Sequence, residues 1–163
     1  MFRNATRDDL TALGDLERDA NLAALSHVFP AERFPFPDDA VLARWALVLD
    51  EPGCAVLVAD TPSGRHPELM VFIAYDDTTL RHLAVHPNHW GQGIATSAIG
   101  VALHAMELRG GTKAFLWCLV ENHRARRLYE HLGWQPTEER GEASWPPYPV
   151  EMRYTRRIAA SGR

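Results

Sequence analysis

The chain has 163 residues, of which 46% are hydrophobic and 23% charged, a balance typical of a globular protein. This length predicts one domain over residues 1–163, whose core needs neither a disulfide nor a structural metal. The net charge of −4 argues against nucleic acid as the main partner, since domains that bind nucleic acid are usually basic.

The distribution of apolar residues predicts no membrane contact. No run approaches the ~18 consecutive apolar residues that a membrane-spanning helix needs, and the first residues lack the apolar core of a signal peptide. The two cysteines, Cys54 and Cys118, lie in apolar runs, as free thiols do in a reducing compartment. We therefore expect a cytoplasmic protein.

The hydrophobic pattern of the N-terminal half predicts two helices followed by an antiparallel meander. Residues 6–9 have the spacing of a capping box, and leucines at helical intervals follow them. A proline-containing loop leads to a second helix that begins at residues 38–39. The period then shortens to two, and strands are predicted at residues 54–59, 68–75 and 79–85.

The C-terminal half predicts a helix, a strand and another helix. Residues 93–109 form an amphipathic helix that a glycine pair ends, and residues 113–120 form a strand apolar enough to be buried on both faces. A helix over residues 122–132 and a last strand over residues 150–155 follow. No element is predicted in the polar, proline-rich segment 136–149. The order of elements indicates an α/β fold built on a mixed sheet.

The stretch from Leu83 to Thr96 carries the most chemical information. A predicted strand ends at Val85, and a short loop with Gly91 and Gly93 runs directly into a helix. Glycines let the backbone come close to a ligand, and the first N–H groups of a helix form an anion site with the helix dipole. The spacing fits neither a P-loop nor the three-glycine dinucleotide motif. The alternative is that the glycines only make a tight connection.

A second stretch places a tyrosine among the apolar residues of a helix. Asn122 is suited to cap this helix, and Ala125, Leu128, Tyr129 and Leu132 fall on one of its faces. A buried tyrosine hydroxyl needs a polar partner, for which a backbone carbonyl is the simplest choice.

Together these stretches resemble the two signature motifs of the GCN5-related N-acetyltransferase (GNAT) superfamily. The first reads Val85-x-Pro87…Gly91-x-Gly93-Ile-Ala95, and the second reads Asn122-x-x-Ala125-x-x-Leu-Tyr129-x-x-x-Gly133-Trp134. The resemblance implies a GNAT-like mixed sheet with helices on both faces. It also implies an N-acetyltransferase that moves the acetyl group of acetyl-CoA directly to a primary amine.

The resemblance further assigns roles by position. Acetyl-CoA is expected between the strand that ends at Val85 and the strand over residues 113–120, with its pyrophosphate on the backbone of residues 91–96. Tyr129 is expected to protonate the departing CoA thiolate. The implied cofactor-binding residues are Leu83, Ala84, Val85, Trp90, Gly91, Gln92, Gly93, Ile94, Ala95, Thr96, Asn122, Ala125, Arg126 and Tyr129.

The chain departs from the family pattern at three positions. Trp90 stands where members usually carry Arg or Gln, and its indole does not supply the same donors. Thr79 and Trp117 stand where some members carry a glutamate, so the resemblance assigns no catalytic base.

Two residues are candidate bases on other grounds. His82 lies next to the acetyl-binding stretch and titrates in the right range, although alternation puts it on the face opposite Leu83. Glu32 lies in the loop expected to border the acceptor. A water relay to Asp76 or Asp77 is the third candidate.

The remaining expectations concern ligands and partners. His82, His86 and His89 have no cysteine or carboxylate at ligand spacing, so no metal is expected. The arginines at the start of the last helix, Arg124, Arg126 and Arg127, either reach the cofactor 3′-phosphate or form a solvated face.

The acceptor is expected to be a small-molecule or peptide amine, and a homodimer is a further expectation. Phe29, Phe34 and Phe36 either build an apolar acceptor pocket or pack in the core, where Trp45 is expected. The alternative function is a non-catalytic acyl-CoA-binding sensor or partner module.

Overall fold

The computed structural model describes residues 1–63 and 68–158, which contain four α-helices and one seven-stranded sheet. The helices are α1 (Leu10–Leu25), α2 (Asp38–Asp50), α3 (Ile94–Leu108) and α4 (His123–His131). The strands are β1 (Arg3–Asn4), β2 (Ala55–Asp60), β3 (Leu69–Tyr75), β4 (Thr79–Val85), β5 (Lys113–Leu119), β6 (Gln135–Glu142) and β7 (Val150–Arg157).

The sheet is mixed, with strand order β1-β2-β3-β4-β5-β7-β6. Neighbouring strands are antiparallel except β4 and β5, which are parallel. One hydrophobic cluster packs α1 and α2 on the sheet around Trp45 and Phe72, and another packs α3 and α4 around Met106 and Leu116. These are called the α1/α2 face and the α3/α4 face. The expected α/β fold, with a mixed sheet and helices on both faces, is confirmed.

Two strands were not predicted from the sequence. β1 pairs with β2 over two residues only, too few to show an alternating pattern. All but the first residue of β6 lies within the segment 136–149 that had no predicted element, where the strand pairs with β7 at the edge of the sheet. An edge strand buries little surface and tolerates proline, so its sequence lacks the alternation of an inner strand.

The parallel pair at the centre of the sheet comes apart shortly after it forms. β4 and β5 are in register only at Thr79 with Phe115 and at Leu80 with Leu116. The register of β4 against β3 also shifts here, which places a bulge at Arg81. Beyond these residues β4 follows β3 and β5 follows β7, so a gap opens between the carboxyl ends of two parallel strands.

Across the described ranges 1–63 and 68–158, no helix combines the length and the apolar character needed to cross a bilayer.

Candidate active site

The gap between β4 and β5 is the mouth of a cleft of about 890 Å³. This volume is in the range of cofactor and ligand sites in proteins. Its walls come from β4, the loop after it, the first turn of α3, β5, α4 and the C-terminal half of α1. The end of α1 is tied to the β5–α4 connection, because His27 Nε2 is hydrogen-bonded to the Glu121 carbonyl oxygen at 2.8 Å.

The loop before α3 has the geometry of an anion site. Gly91 and Gly93 both have φ of 75°, a left-handed conformation that glycine adopts without steric cost. Ser97 is the first residue of the helix whose N–H is engaged, by the Gly93 oxygen at 3.0 Å. Within the described residues the backbone N–H groups of residues 91–96 donate no hydrogen bond, so they remain available at the positive end of α3.

The inner edge of β4 presents backbone groups to the cleft. His86 N–H donates to the Met70 oxygen at 2.8 Å. In an antiparallel pair every second residue bonds to the same neighbour, so the backbone groups of Ala84 and His82 also face β3. Leu83 and Val85 alternate with these residues, so their N–H and C=O groups point away from β3 and into the gap. Since β5 has already diverged at this level, no strand among the described residues pairs with Leu83 on that side.

Trp90 takes a structural role in the loop in place of a phosphate donor. Its Nε1–H donates to the Val85 oxygen at 2.8 Å, which fixes the loop to the end of β4. The face of its indole carries the Arg124 guanidinium, whose carbon lies 3.9 Å from the ring centroid. Trp90 therefore positions a cation at the cleft wall, beside the free backbone N–H groups.

Tyr129 lies on α4 and lines the cleft from the α3/α4 face. Its ring centroid is 6.2 Å from that of Trp134 and 6.1 Å from that of Tyr154, so aromatic packing fixes its direction. Burial raises the pKa of its hydroxyl well above the usual value. The hydroxyl makes no hydrogen bond with any residue that the structure describes, so the expected backbone partner is absent there.

Two carboxylates that the sequence did not indicate line the cleft, Glu17 and Glu151. The Glu17 carboxylate accepts hydrogen bonds from Arg44 and from the Trp45 indole N–H, so it is already paired. Glu151 lies on β7 opposite Leu119 and Gly141, and it lines the cleft. Its neighbour Met152 is buried in the α3/α4 cluster, so alternation places Glu151 on the α1/α2 face. Within the described part of the chain its carboxylate has no hydrogen bond or ion pair, and partial burial raises its pKa.

Glu151, Cys118 and Tyr129 form one electrostatic neighbourhood. Burial raises the pKa of the Cys118 thiol to about 12, and the charges of Arg126, Glu130 and Glu151 also act on it. Cys118 in turn contributes to the raised pKa of Tyr129. Glu151 and Tyr129 therefore lie on either side of β5, on opposite faces of the sheet.

His82 lines the cleft on the α1/α2 face, on the side that strand alternation predicted. Its ring centroid is 5.3 Å from that of Trp45, which is fully buried. Burial, together with the charges of Arg44 and Arg81, lowers the pKa of His82 to about 3. The imidazole is therefore neutral at pH 7 and holds a proton weakly.

Some predicted site residues are not brought to the cleft. Glu32 is exposed in the α1–α2 connection and lines no part of the cleft. The Arg126 guanidinium donates to the Tyr154 hydroxyl at 3.2 Å and to the Val120 oxygen at 3.0 Å. These bonds hold it away from the cleft, which Arg126 does not line. Arg124 and Arg127 line the cleft instead.

The two carboxylates in the turn before β4, Asp76 and Asp77, already have partners within the protein. The Asp76 carboxylate accepts hydrogen bonds from the N–H groups of Thr78 and Thr79 at 2.9 and 2.8 Å. Asp77 pairs with Arg109 at 2.8 Å. Both carboxylates stabilise local structure, and neither lines the cleft.

Most of the other predicted cofactor-binding residues line the cleft, but Gln92 does not. Asn122 accepts a hydrogen bond from the Ala125 N–H at 3.2 Å, which caps α4, and both residues line the cleft. Ala84, Ile94, Ala95 and Thr96 line it as well, whereas Gln92 is exposed in the loop. No group of three or more His, Cys, Asp and Glu side chains placed to hold a metal ion occurs in residues 1–63 and 68–158.

Comparison with known proteins agrees with this geometry. The sequence matches the model of the acetyltransferase (GNAT) family over residues 19–134, well over half of the chain. Comparison with curated proteins gives no match.

Many solved structures share the fold. The ribosomal-protein-S18-alanine N-acetyltransferase from Escherichia coli has a TM-score of 0.71 at 18% identity, over 100% of this chain and 96% of that one. A GCN5-related N-acetyltransferase from Rhodopseudomonas palustris has a TM-score of 0.75 at 16% identity, over 96% and 94%. The spermidine N-acetyltransferase from Vibrio cholerae, solved with CoA and spermine, has a TM-score of 0.67 at 19% identity, over 97% and 95%. At these identities the likeness concerns the fold.

Proposed function

This chain belongs to the GNAT family of acetyltransferases, and we propose that it transfers the acetyl group of acetyl-CoA directly to a primary amine. The observation that carries the proposal is the Tyr129 hydroxyl, which lines the cleft between the diverging strands and has no hydrogen-bond partner in the described residues. The Tyr129 side chain is partly buried and lines the cleft, so its unpaired hydroxyl is free to bond a ligand there. In this cleft the ligand is the sulfur of the CoA leaving group.

The walls of the cleft supply groups for each part of acetyl-CoA. The free N–H groups of residues 91–96 and the positive end of α3 suit the pyrophosphate. Arg124, held over Trp90, and Arg127 on the same helix suit the 3′-phosphate. The Leu83 backbone and the Val85 N–H are placed to bond the amide groups of the pantetheine arm and to polarise the thioester carbonyl, while the Val85 oxygen accepts the Trp90 indole N–H.

The two faces of the sheet separate the acid from the base. Tyr129 reaches the gap from the α3/α4 face, and Glu151 borders it on the α1/α2 face. A thioester placed in the gap therefore has its sulfur on the Tyr129 side, and an amine can reach its carbonyl carbon from the α1/α2 face, where Glu151 lies. This arrangement favours direct attack without a covalent enzyme intermediate.

In the proposed mechanism the amine nitrogen attacks the thioester carbonyl carbon, and the bond from that carbon to sulfur breaks. The proton lost by the attacking nitrogen passes to the Glu151 carboxylate. The departing thiolate takes the Tyr129 hydroxyl proton, the phenolate is reprotonated from solvent, and the Glu151 carboxyl releases its proton to solvent. A tyrosine hydroxyl, with an ordinary pKa of about 10, is protonated at neutral pH, which is the form that a general acid requires. Burial raises the pKa of Tyr129 further, so proton transfer to the thiolate depends on the position of the hydroxyl beside the sulfur.

We assign the base to Glu151 in preference to His82. Both line the cleft on the α1/α2 face, but a histidine with a pKa of about 3 accepts a proton poorly near neutral pH. Burial moves Glu151 in the useful direction, because a raised pKa makes a carboxylate a stronger base. Its lack of a partner in the described residues leaves its oxygens free to receive a proton.

The experiment is titration calorimetry with acetyl-CoA, followed by release of CoA thiol in the presence of a panel of primary amines. Binding with amine-dependent release supports the transferase. Binding without release on any amine favours the alternative, a non-catalytic acyl-CoA-binding module. Failure to bind acetyl-CoA contradicts both.

A further inference from the structure

A second, smaller pocket of about 270 Å³ lies beyond the α1 wall of the cleft. It is formed by the last turns of α1, the connection from α1 to α2, and the connection from β6 to β7. Its apolar lining consists mainly of Leu22, Phe29, Phe34, Phe36, Trp145 and Pro146. Phe36 and Trp145 also pack against the α1/α2 cluster, so these walls are anchored to the core.

The pocket adjoins the cleft on the acceptor side. Asn21 of α1 lines both the pocket and the cleft, so the two spaces adjoin at this residue. The pocket belongs to the α1/α2 face, as does Glu151. A molecule with its amine at the gap can therefore extend past Asn21 and place the rest of its structure in the pocket.

The size and lining of the pocket select an apolar group. An apolar cavity of ~150 Å³ is known to hold benzene, so 270 Å³ accommodates a group from phenyl to indole in size. Among its described lining residues the one charged side chain is Arg33, whose guanidinium carbon lies 5.5 Å from the Phe34 ring centroid. A cation at this position repels a second ammonium group, and no described carboxylate lines the pocket to bind one.

We propose that this pocket holds the body of the acceptor, and that the acceptor is a primary monoamine with one apolar, ring-sized group. The inference rests on the proposed acetyl transfer and narrows its substrate class. It disfavours polyamines and aminoglycosides, whose several ammonium groups require carboxylates along the binding surface.

The test measures amine binding by calorimetry, with the protein alone and with the protein saturated with CoA. Phenethylamine is the apolar probe and spermidine the polycationic one. Two variants alter the pocket: Trp145→Ala removes an anchored wall, and Leu22→Gln makes a 42% exposed lining residue polar with little risk to folding. Tyr148→Ala is the matched control, since Tyr148 is an exposed aromatic residue of the same connection that lines neither space.

The expected result is that phenethylamine binds at least about tenfold more tightly than spermidine, and that Trp145→Ala weakens phenethylamine by about tenfold. Leu22→Gln is expected to weaken it about threefold, and Tyr148→Ala to leave it within about twofold. Equal or tighter binding of spermidine overturns the inference, as does phenethylamine binding that neither pocket variant changes.

Failure here is distinguishable from failure of the proposed function. If CoA binds and hydrophilic amines are acetylated while phenethylamine does not bind, the transferase stands and the apolar acceptor is wrong. If phenethylamine binds in the expected manner but acetyl-CoA does not, the pocket assignment stands and acetyl transfer is wrong.

Discussion

Replacing His82 with phenylalanine tests how a partly buried neutral imidazole contributes to stability at acid pH. In the folded protein His82 packs on Trp45, and its pKa is lowered to about 3, first by burial and then by the charges of Arg44 and Arg81. In the unfolded chain an ordinary histidine has a pKa of about 6.5. At pH 5 the unfolded state therefore binds a proton that the folded state does not, so lowering the pH destabilises the fold.

The magnitude follows from the two pKa values. At pH 5, protonation lowers the free energy of the unfolded state by RT times the logarithm of about 33, which is about 2 kcal/mol. The same loss follows for any folded-state pKa below about 4, because the folded histidine is then almost entirely neutral at pH 5. At pH 7.5 the corresponding loss is only about 0.1 kcal/mol.

The assay is urea denaturation at pH 7.5 and at pH 5 for the wild type, His82→Phe and the control His104→Gln, which alters an exposed histidine of α3. Other groups titrate in this interval, so the measured quantity is the difference in pH dependence between proteins. We expect His82→Phe to lose about 2 kcal/mol less than the wild type between the two pH values, and His104→Gln to keep the wild-type dependence. Equal pH dependence in the wild type and His82→Phe refutes the reasoning.

Three further predictions concern the cleft. Tyr129→Phe is expected to lower kcat for amine acetylation by about 10²–10⁴-fold while acetyl-CoA affinity stays within about twofold, and a kcat within about twofold of wild type excludes the general-acid role. Glu151→Gln is expected to lower kcat by at least about 10²-fold. In the wild type, kcat/KM falls as the pH is lowered through the raised pKa of this carboxyl, so a profile whose acid limb persists in the variant assigns that limb to another group. Gly93→Ala is expected to cost about 1–2 kcal/mol, since the added Cβ meets no atom within 4 Å and only the left-handed φ of 75° is strained. Its KM for acetyl-CoA should rise several-fold, and an unchanged KM would separate this loop from pyrophosphate binding.

The polar walls of the cleft explain why the Trp90 departure is compatible with the proposed pyrophosphate contacts. An arginine at this position would place its charge directly in the loop. Here the indole bonds to the Val85 carbonyl and carries Arg124 on its face, so the positive charge comes from α4 instead. The backbone N–H groups of residues 91–96 do not depend on the side chain at position 90.

Features of the site that rest on local chemistry could be predicted from the sequence alone. Gly91 and Gly93 indicate a left-handed turn into a helix, and the structure has that turn with φ of 75° at both. The spacing around Tyr129 indicates a tyrosine on the inner face of a helix, and alternation along β4 indicates the side on which His82 lies. Each of these follows from residues within one turn or one strand, where the backbone period relates sequence directly to direction.

Which distant residues share the cleft depends on long-range strand pairing, and the sequence did not predict it. Glu151 borders it because β7 pairs with the full length of β5 while β4 pairs with β5 at two positions only. The edge strand β6 and the pocket that joins residues 29–37 to Trp145 likewise depend on contacts between segments far apart in the chain. Such pairings are set by the sum of many weak packing terms over the whole sheet, and no short stretch of sequence carries them.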